Sequence, residues 1–262
     1  VPVMLPDLAP CPECLEEMHD PSSRRYHYPF TNCTHCGPRY SIIETMPYDR
    51  AGTSMKGFRM CPECRREYQD VEDRRFHAQP IGCPSCGPSV KVLFSDGSEL
   101  GFGHGFDTPA AQAAWVLADG LIVALLGVGG FQLLADASSE AAVRRLRRLK
   151  ERDAKPFAVM VPDVAAAERL CRLSEEERRL LASPAAPIVL ARGRKDVDLA
   201  PSVCMFSRFV GIMLPSSPLH ALLMDVWGKP LVVTSGNLSG EPLCVSVEEG
   251  LEKLGHVADV FL

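Results

Sequence analysis

A repeat of cysteine pairs near the start of the chain most constrains how this sequence can fold. Cys11 and Cys14, separated by Pro-Glu, return fifty residues later as Cys61 and Cys64, again separated by Pro-Glu. Eighteen residues separate the two cysteine pairs within each copy, and twenty-four separate one copy from the next. Such regularity predicts two copies of one small unit that is held together by metal.

Paired C-x-x-C turns are typical of zinc sites, because each turn presents two thiolates to one ion and two turns complete four-thiolate coordination. Disulfides and redox-active pairs are the alternatives, but neither a secretory signal nor a βαβ context accompanies these cysteines. We therefore predict two zinc ions. The eight predicted ligands, four from each copy, are Cys11, Cys14, Cys33, Cys36, Cys61, Cys64, Cys83 and Cys86.

The arrangement of these ligands leaves two topologies open. Pairing within each copy is favoured, because each repeated unit then folds around its own ion. A crossed arrangement, with the outer pairs on one ion and the inner pairs on the other, uses the same eight residues. Gly37 and Gly87 follow the last cysteine of each copy and are expected to adopt positive φ.

Histidines and arginine pairs recur together with the cysteines. His27 and His77 are predicted to cap or pack their units, since four thiolates already suffice for each ion. The arginine pairs at 24–25 and 74–75 raise the question of nucleic-acid binding. Residues 1–90, however, contain ten Lys and Arg against twelve Asp and Glu, so no basic surface is expected and nucleic acid is an unlikely partner.

Length and composition indicate one or two globular domains. The chain has 262 residues, a formal charge of −5, a pI near 5.8 and no apolar run of membrane-spanning length, which favours a cytoplasmic protein with no membrane partner. The three remaining cysteines follow no metal-binding or repeated spacing, so we expect them to be inert packing residues. They are Cys171, Cys204 and Cys244. The first residue is not methionine, so we expect a piece of a longer polypeptide.

The predicted divisions are finger units over 1–92, a glycine-rich linker over 93–106 and a second domain over 107–262.

The second domain alternates helical and apolar strand patterns. Thr108 is a predicted N-cap, Pro109 the first helical residue and Gly120 the end of that helix. Capping boxes are predicted at Ser174 and Ser246, and a helix from Ser138 to about residue 150. Predicted strands cover 121–126, 131–135, 157–161, 187–191, 210–214 and 231–234, and a shorter one covers 40–44 between the finger units. The fold class is therefore α+β, with a duplicated zinc-binding module followed by a twisted α/β sheet domain.

Two stretches of the second domain carry side chains suited to binding a nucleotide. Lys150, Arg152 and Lys155 form a cationic cluster before a buried strand, which suits a polyphosphate. The alternative is a solvated helix face, which we expect for the arginines at 144, 145, 147 and 148. The segment 231–240 is a buried strand that leads into a loop rich in hydroxyl and amide groups; such a loop can approach anionic or nucleobase groups, although an ordinary turn is the alternative.

Several motifs resemble the HypF family, the carbamoyltransferases of [NiFe]-hydrogenase maturation. The resemblance rests on 28–38, 47–50, 74–80 and the cysteine spacing in the first half, and on 155–160, 214–220 and 233–242 in the second. The second half is similar to YrdC-like domains. The resemblance implies an enzyme that uses ATP with magnesium and carbamate, derived from carbamoyl phosphate, to form carbamoyl adenylate. It also implies transfer of the carbamoyl group to the C-terminal cysteine of a partner, HypE, on the way to cyanide ligands.

The resemblance also implies roles for individual residues. Lys150, Arg152 and Lys155 match the phosphate-binding positions, where cations offset the charge that builds up as pyrophosphate leaves. His220 falls at a Pro-Leu-His position and is a secondary candidate, since a histidine on an apolar helix is often a packing residue. The residues that match the nucleotide-binding loop are Thr234, Ser235, Asn237 and Ser239.

The sequence departs from the family pattern at two positions and at its ends. Leu126 stands where the family has lysine, and Gln132 where it has histidine. The family has further domains on both sides of this region, and the sheet domain is expected to lack its last strands. Two other functions therefore remain open. One is an RNA-modification enzyme of the threonylcarbamoyl-adenylate synthase type, which the zinc repeats disfavour; the other is a noncatalytic zinc- and nucleotide-binding module, which Leu126 favours.

Overall fold

The computed structural model describes residues 5–101 and 106–262, so residues 102–105 of the predicted linker lie outside the described residues. The chain divides into two compact units. The first extends to Ser89 and includes Ser216–Leu222, and the second comprises Val90–Pro215 and Leu223–Leu262. Within the described ranges, no helix combines the length and apolar character needed to cross a bilayer.

The repeated units of the first half each begin with a short helix. Helices α1 (Pro12–His19) and α2 (Pro62–Gln69) start at the proline that follows the first cysteine of each copy, where proline's fixed φ suits the first helical position. The predicted strand at 40–44 is wrong, because Tyr40–Ile42 forms a 3-10 turn. The amides of Glu44 and Thr45 donate to the carbonyl of Gly52, so this segment folds back on itself instead of pairing along a strand.

The second unit is built on one mixed sheet of nine strands, in the order β1-β9-β2-β3-β8-β4-β7-β6-β5. Most neighbours are antiparallel, while β2 with β9 and β4 with β7 are parallel. The six predicted strands of the second domain all occur, with ends shifted by a few residues. The strands are β1 (Leu93–Phe94), β2 (Val123–Gly127), β3 (Gly130–Asp136), β4 (Ala158–Met160), β5 (Cys171–Arg172), β6 (Val189–Gly193), β7 (Phe209–Met213), β8 (Leu231–Ser235) and β9 (Val260–Phe261).

Two strands modify the predicted divisions of the chain. Strand β1 lies at the start of the predicted linker, yet it pairs with β9 at one edge of the sheet. Strand β9 in turn pairs with β2, and the amide of Leu126 donates to the carbonyl of Leu262. The last residues of the chain are therefore an integral part of the described sheet.

Within the described ranges, seven helices accompany the sheet or follow its strands, and three of them begin at a predicted cap. Thr108 caps α3, Ser139 rather than Ser138 caps α4, and Ser174 forms the complete capping box of α6. Ser246 caps α9, but the Glu249 carboxylate accepts from the amide of Val245, so this second box is incomplete. The helices are α3 (Pro109–Ala118), α4 (Glu140–Leu149), α5 (Val164–Leu170), α6 (Glu175–Leu181), α7 (Pro201–Cys204), α8 (Pro218–Trp227) and α9 (Val247–Leu254).

Side chains alternate along the strands, so that one face of the sheet packs in the core and the other face borders a cavity. Leu133, Val159 and Ile212 belong to the main hydrophobic core, together with apolar residues of the helices. Neighbouring positions on the same strands, such as Ala158 and Gly211, line the cavity instead. Because successive side chains of a strand point to opposite faces, one sheet supplies both the core and the floor of a site.

Candidate functional site

The eight repeated cysteines form two separate tetrads, one within each copy, so the crossed arrangement is not the one observed. In the first tetrad the Sγ atoms of Cys11 and Cys33 lie 3.7 Å apart, and those of Cys14 and Cys36 lie 3.5 Å apart. The second tetrad has equivalent separations of 3.6–3.8 Å. Four sulfurs placed about 2.3 Å from a central zinc form a tetrahedron with edges of about 3.8 Å. Each tetrad therefore fits a zinc ion.

The two copies differ in why glycine follows the last cysteine. Gly37 has φ of +89°, as predicted, but Gly87 does not adopt positive φ. A Cβ atom on Gly87 would instead lie 2.1 Å from the hydroxyl of Tyr28, which donates to the carbonyl of Pro88. His27 and His77 lie outside both cysteine tetrads; both are exposed, His27 stacks on Tyr26, and His77 lies against aromatic rings.

The arginine pairs are engaged in contacts between the two copies. Each pair reaches the metal-binding cysteines of the other copy. Arg24 of the first copy donates to Cys64 Sγ at 3.2 Å, and Arg74 of the second donates to Cys14 Sγ at 3.2 Å. Arg25 and Arg75 are 1% and 4% exposed, so they are unavailable to phosphates.

Two glutamates form further contacts between the two copies. Glu67 accepts hydrogen bonds from Arg24 and Arg25, and Glu17 accepts them from Arg74 and Arg75. Burial by itself raises the pKa of Glu67, but the hydrogen bonds from Arg25 and Arg24 outweigh it and hold that pKa at about 2. Both carboxylates therefore remain charged at neutral pH.

An open cavity of about 990 Å³ lies against the face of the sheet opposite the main core. Strands β3, β4, β6, β7 and β8 supply its floor, and Leu243 and Val128 also line it. The charged residues among the described lining are Arg152 and Lys155, and none of the described lining residues is acidic. A volume of this size accommodates a nucleotide, and two cations without a carboxylate favour an anion.

Arg147 holds the segment that carries these two cations. It was predicted to lie on a solvated helix face, which is wrong, because it is only 7% exposed. Its guanidinium donates to the carbonyls of Arg152 and Lys155 on one side and of Ser202 and Val203 on the other. It also lies 4.5 Å from the ring centre of Phe157. Arg147 follows Leu146 on the apolar stripe of α4, a position that could have indicated burial from the sequence.

Lys150 holds the loop after β8 rather than lining the cavity. It is 3% exposed, and its ammonium donates to the carbonyls of Ser235 and Asn237 at 2.5 and 2.6 Å. A third bond, of 3.0 Å, reaches Asn237 Oδ1. The three ammonium protons are thus directed at three acceptors of one loop. The structure brings together the two stretches that the sequence singled out separately.

The protonation state of Lys150 gives this site a pH dependence. Burial, and next the positive charge of Arg152, lower the pKa of Lys150 to about 8. We expect ATP affinity to decrease as the pH rises from 7 to 9, because the neutral amine offers only two protons and one positive charge is lost. Calorimetric titration at constant ionic strength measures this effect. Lys150→Met should bind ATP more weakly at pH 7 and show no such decrease.

The contribution of Lys150 to folding has the opposite sign. The unfolded chain keeps this proton up to a pKa of about 10.4, so between pH 8 and 10.4 the group makes the free energy of unfolding rise with pH. A fall in ATP affinity that merely followed a fall in stability would contradict our assignment.

The remaining predicted nucleotide-binding residues divide into three groups. Thr234 and Ser235 line the cavity, and Asn237 is held by Lys150 and by Ser235, whose hydroxyl donates to Asn237 Oδ1 at 2.5 Å. Ser239 is exposed and lies outside the described cavity lining. His220 is also outside that lining: it is 2% exposed, burial lowers its pKa to about 4, and it belongs to the compact unit that contains the fingers.

The two departures from the family pattern lie in different environments. Leu126 is partly buried and packs against the main core, and it is not one of the cavity-lining residues. Gln132 does line the cavity. Arg145, predicted to lie on a solvated face, is partly exposed, and its guanidinium also forms two bonds to Asp259, of 2.5 and 2.8 Å.

Comparisons with known proteins agree with both halves of this description. A family model described as HypF finger matches residues 11–43 and 60–93. A second model, for the Sua5, YciO and YrdC proteins and described as telomere recombination, matches residues 115–262. Carbamoyltransferase HypF of Synechocystis sp. is 49% identical over an alignment of 263 positions, which covers 99% of this chain and 33% of that protein. The chain belongs to the HypF family.

Solved structures support the same assignment of fold. The crystal structure of full-length HypF in the phosphate- and nucleotide-bound form matches with a TM-score of 0.92 and 49% identity, over 98% of this chain and 33% of that one.

The mouse threonylcarbamoyl-AMP synthase is a more distant relative, 35% identical over 156 residues, or 58% of this chain and 54% of its own length. The chain spans about one third of the length of the HypF relatives it matches.

Proposed function

We propose that the sheet domain binds ATP with its magnesium ion and forms carbamoyl adenylate, as one part of a HypF-type carbamoyltransferase. The observation that carries this proposal is the cavity whose lining includes both Arg152 and Lys155 and the hydroxyl residues Thr234 and Ser235. The cations suit the phosphates, and the hydroxyl groups suit a bound nucleotide. Since the described lining is free of carboxylates, magnesium would be held chiefly by phosphate oxygens and water.

The proposed reaction is a displacement at the α-phosphorus of ATP. A carbamate oxygen forms the new bond to phosphorus, the bond to the bridging oxygen breaks, and pyrophosphate leaves with the electron pair of that bond. Arg152 and Lys155 offset the negative charge that develops on the phosphates. Arg147 and Lys150 act as positioning residues, because they hold the segments that carry the groups facing the cavity.

The source and the acceptor of the carbamoyl group belong to the same proposal. Carbamoyl phosphate would supply the carbamate after its hydrolysis elsewhere, and a HypE-like protein would accept the carbamoyl group on its C-terminal cysteine. Both steps are carried over from the family resemblance, while the cytoplasmic location stays a prediction from charge and composition. We therefore expect this chain to use carbamate itself and not carbamoyl phosphate.

An ATP–pyrophosphate isotope exchange assay tests this function. We expect slow exchange with bicarbonate plus ammonia, and none with carbamoyl phosphate alone. Exchange driven by bicarbonate plus threonine would support the threonylcarbamoyl-adenylate alternative, which the mouse relative raises. Absence of ATP binding in calorimetry would favour the noncatalytic module. Robust exchange with carbamoyl phosphate alone would contradict the proposed division of the reaction.

The cations of the cavity can be tested separately. Lys155→Ala should weaken ATP binding by roughly tenfold or more, since it removes a charge beside the proposed phosphate site. Arg148→Ala is the matched control, because Arg148 is an exposed cation outside the cavity lining. Arg145 is unsuitable as a control, since it pairs with Asp259. Equal losses in both variants, measured by calorimetry, would place the phosphate site elsewhere.

A further inference from the structure

The arginine pairs connect each cysteine tetrad to the opposite copy. A zinc ion with four thiolates carries a net charge of 2−, and a buried charge is costly unless cations and hydrogen-bond donors offset it. The donors nearest the sulfurs come from the other copy in both cases. Arg24 of the first copy donates to Cys64 Sγ, and Arg74 of the second donates to Cys14 Sγ, both at 3.2 Å.

The second arginine of each pair also contacts a backbone carbonyl of the other copy, and the equivalent contacts lie fifty residues apart in the sequence. Arg25 Nε donates to the carbonyl of Gly82 at 2.9 Å, and Arg75 Nε donates to the carbonyl of Asn32 at 2.9 Å. These carbonyls directly precede Cys83 and Cys33, so each arginine fixes the start of a metal-binding turn in the other copy. The arrangement is reciprocal and recurs at equivalent positions of both copies.

The carboxylates prevent the four arginines from repelling one another. Glu17 and Glu67 are one helical turn beyond Cys14 and Cys64, and each accepts bonds from the arginine pair of the opposite copy. Each tetrad therefore has a supporting shell made of its own glutamate and the other copy's arginines. Groups that support metal ligands in this way contribute strongly to metal affinity.

We propose that the two zinc sites form one coupled metal centre, in which Arg24 and Arg25 stabilise zinc in the second tetrad and Arg74 and Arg75 stabilise zinc in the first. The supporting arginines of each tetrad thus lie in the opposite copy, and the effect of each arginine variant is expected at that opposite tetrad. The inference concerns metal retention and is independent of the carbamoylation reaction.

Crosswise loss of zinc in arginine variants tests this proposal. In the full 262-residue chain loaded with two zinc ions, a chelator is added and cysteine alkylation is followed residue by residue by mass spectrometry. We expect Arg74→Gln to accelerate alkylation of the first tetrad by about tenfold to a hundredfold, and Arg24→Gln to do the same for the second. Arg66→Gln is the matched control, because Arg66 is an exposed arginine of α2 that belongs to neither arginine pair.

The proposal is judged by which tetrad is alkylated faster in each variant. Acceleration confined to the variant's own copy, equal acceleration of both tetrads, or rates like those of Arg66→Gln would each overturn the proposal. Native mass spectrometry before chelation shows whether each variant still holds two zinc ions. If Arg74→Gln does not, Arg74→Lys, which keeps a cation near Cys14, replaces it and should give a smaller acceleration of the first tetrad alone; unchanged rates there would also overturn the proposal.

Discussion

Removal of zinc is expected to unfold the finger unit while the sheet unit keeps its structure. The buried clusters around the tetrads consist mainly of the cysteines themselves, with Ala78 and Ile81 as the buried aliphatic residues of the second cluster. So small an apolar core cannot offset the loss of chain entropy. Structural zinc contributes on the order of 10–16 kcal/mol to such units, which is as large as the whole stability of a typical domain.

Metal analysis and limited proteolysis measure this effect. Freshly purified, reduced protein should contain two zinc ions per chain, and chelation should make the region before residue 89 sensitive to protease. Cys64→Ser should lose zinc from the second tetrad, whereas Cys204→Ser, which alters a partly buried cysteine of the sheet unit, should retain both ions. One zinc ion or none in the unaltered protein, or protease resistance after chelation, would contradict the prediction.

Gly236→Ala is expected to displace the nucleotide-binding loop and to destabilise the sheet unit by about 3 kcal/mol. A Cβ atom at Gly236 would lie 2.4 Å from Phe131 Cβ and 2.7 Å from its carbonyl oxygen. No side-chain rotation relieves this overlap, because the neighbouring atoms belong to or adjoin the backbone of β3. The Gly236 amide also donates to that carbonyl at 2.7 Å, and this bond would lengthen or break.

The consequence for the site follows from the position of Lys150. The carbonyls on either side of Gly236, those of Ser235 and Asn237, accept from the Lys150 ammonium, so displacement of the loop breaks up this cluster. ATP affinity should fall roughly tenfold or more.

Urea unfolding and calorimetry measure the two effects of Gly236→Ala. Gly127→Ala is the matched control, since its added Cβ meets no atom closer than 3.4 Å. Equal stability and affinity in the two variants would show that the close approach of the loop to β3 is not required.

The predictions from the sequence succeeded where a pattern depends on neighbours along the chain. The cysteine spacing predicted two metal-binding units, and apolar runs of Val, Ile and Leu predicted the strands. One failure has a local cause and another has a cause that is distant in the sequence. The residues at 40–44 have a strand-like composition, but their amides pair within a turn around Gly52. Gly87 was assigned a positive φ, but glycine is required there by Tyr28, which lies far away in sequence.

The sequence by itself determined the metal ligands, the order of the strands along the chain and the two segments that carry the candidate nucleotide-binding groups. Only the tertiary structure decided how these parts meet. Lys150 holds a loop 85 residues away, Arg145 pairs with Asp259 at a separation of 114, and the arginine pairs serve the opposite zinc tetrad. Periodicity and spacing report which residues share a turn or a strand face, whereas buried charges are paired by whatever groups packing brings near them.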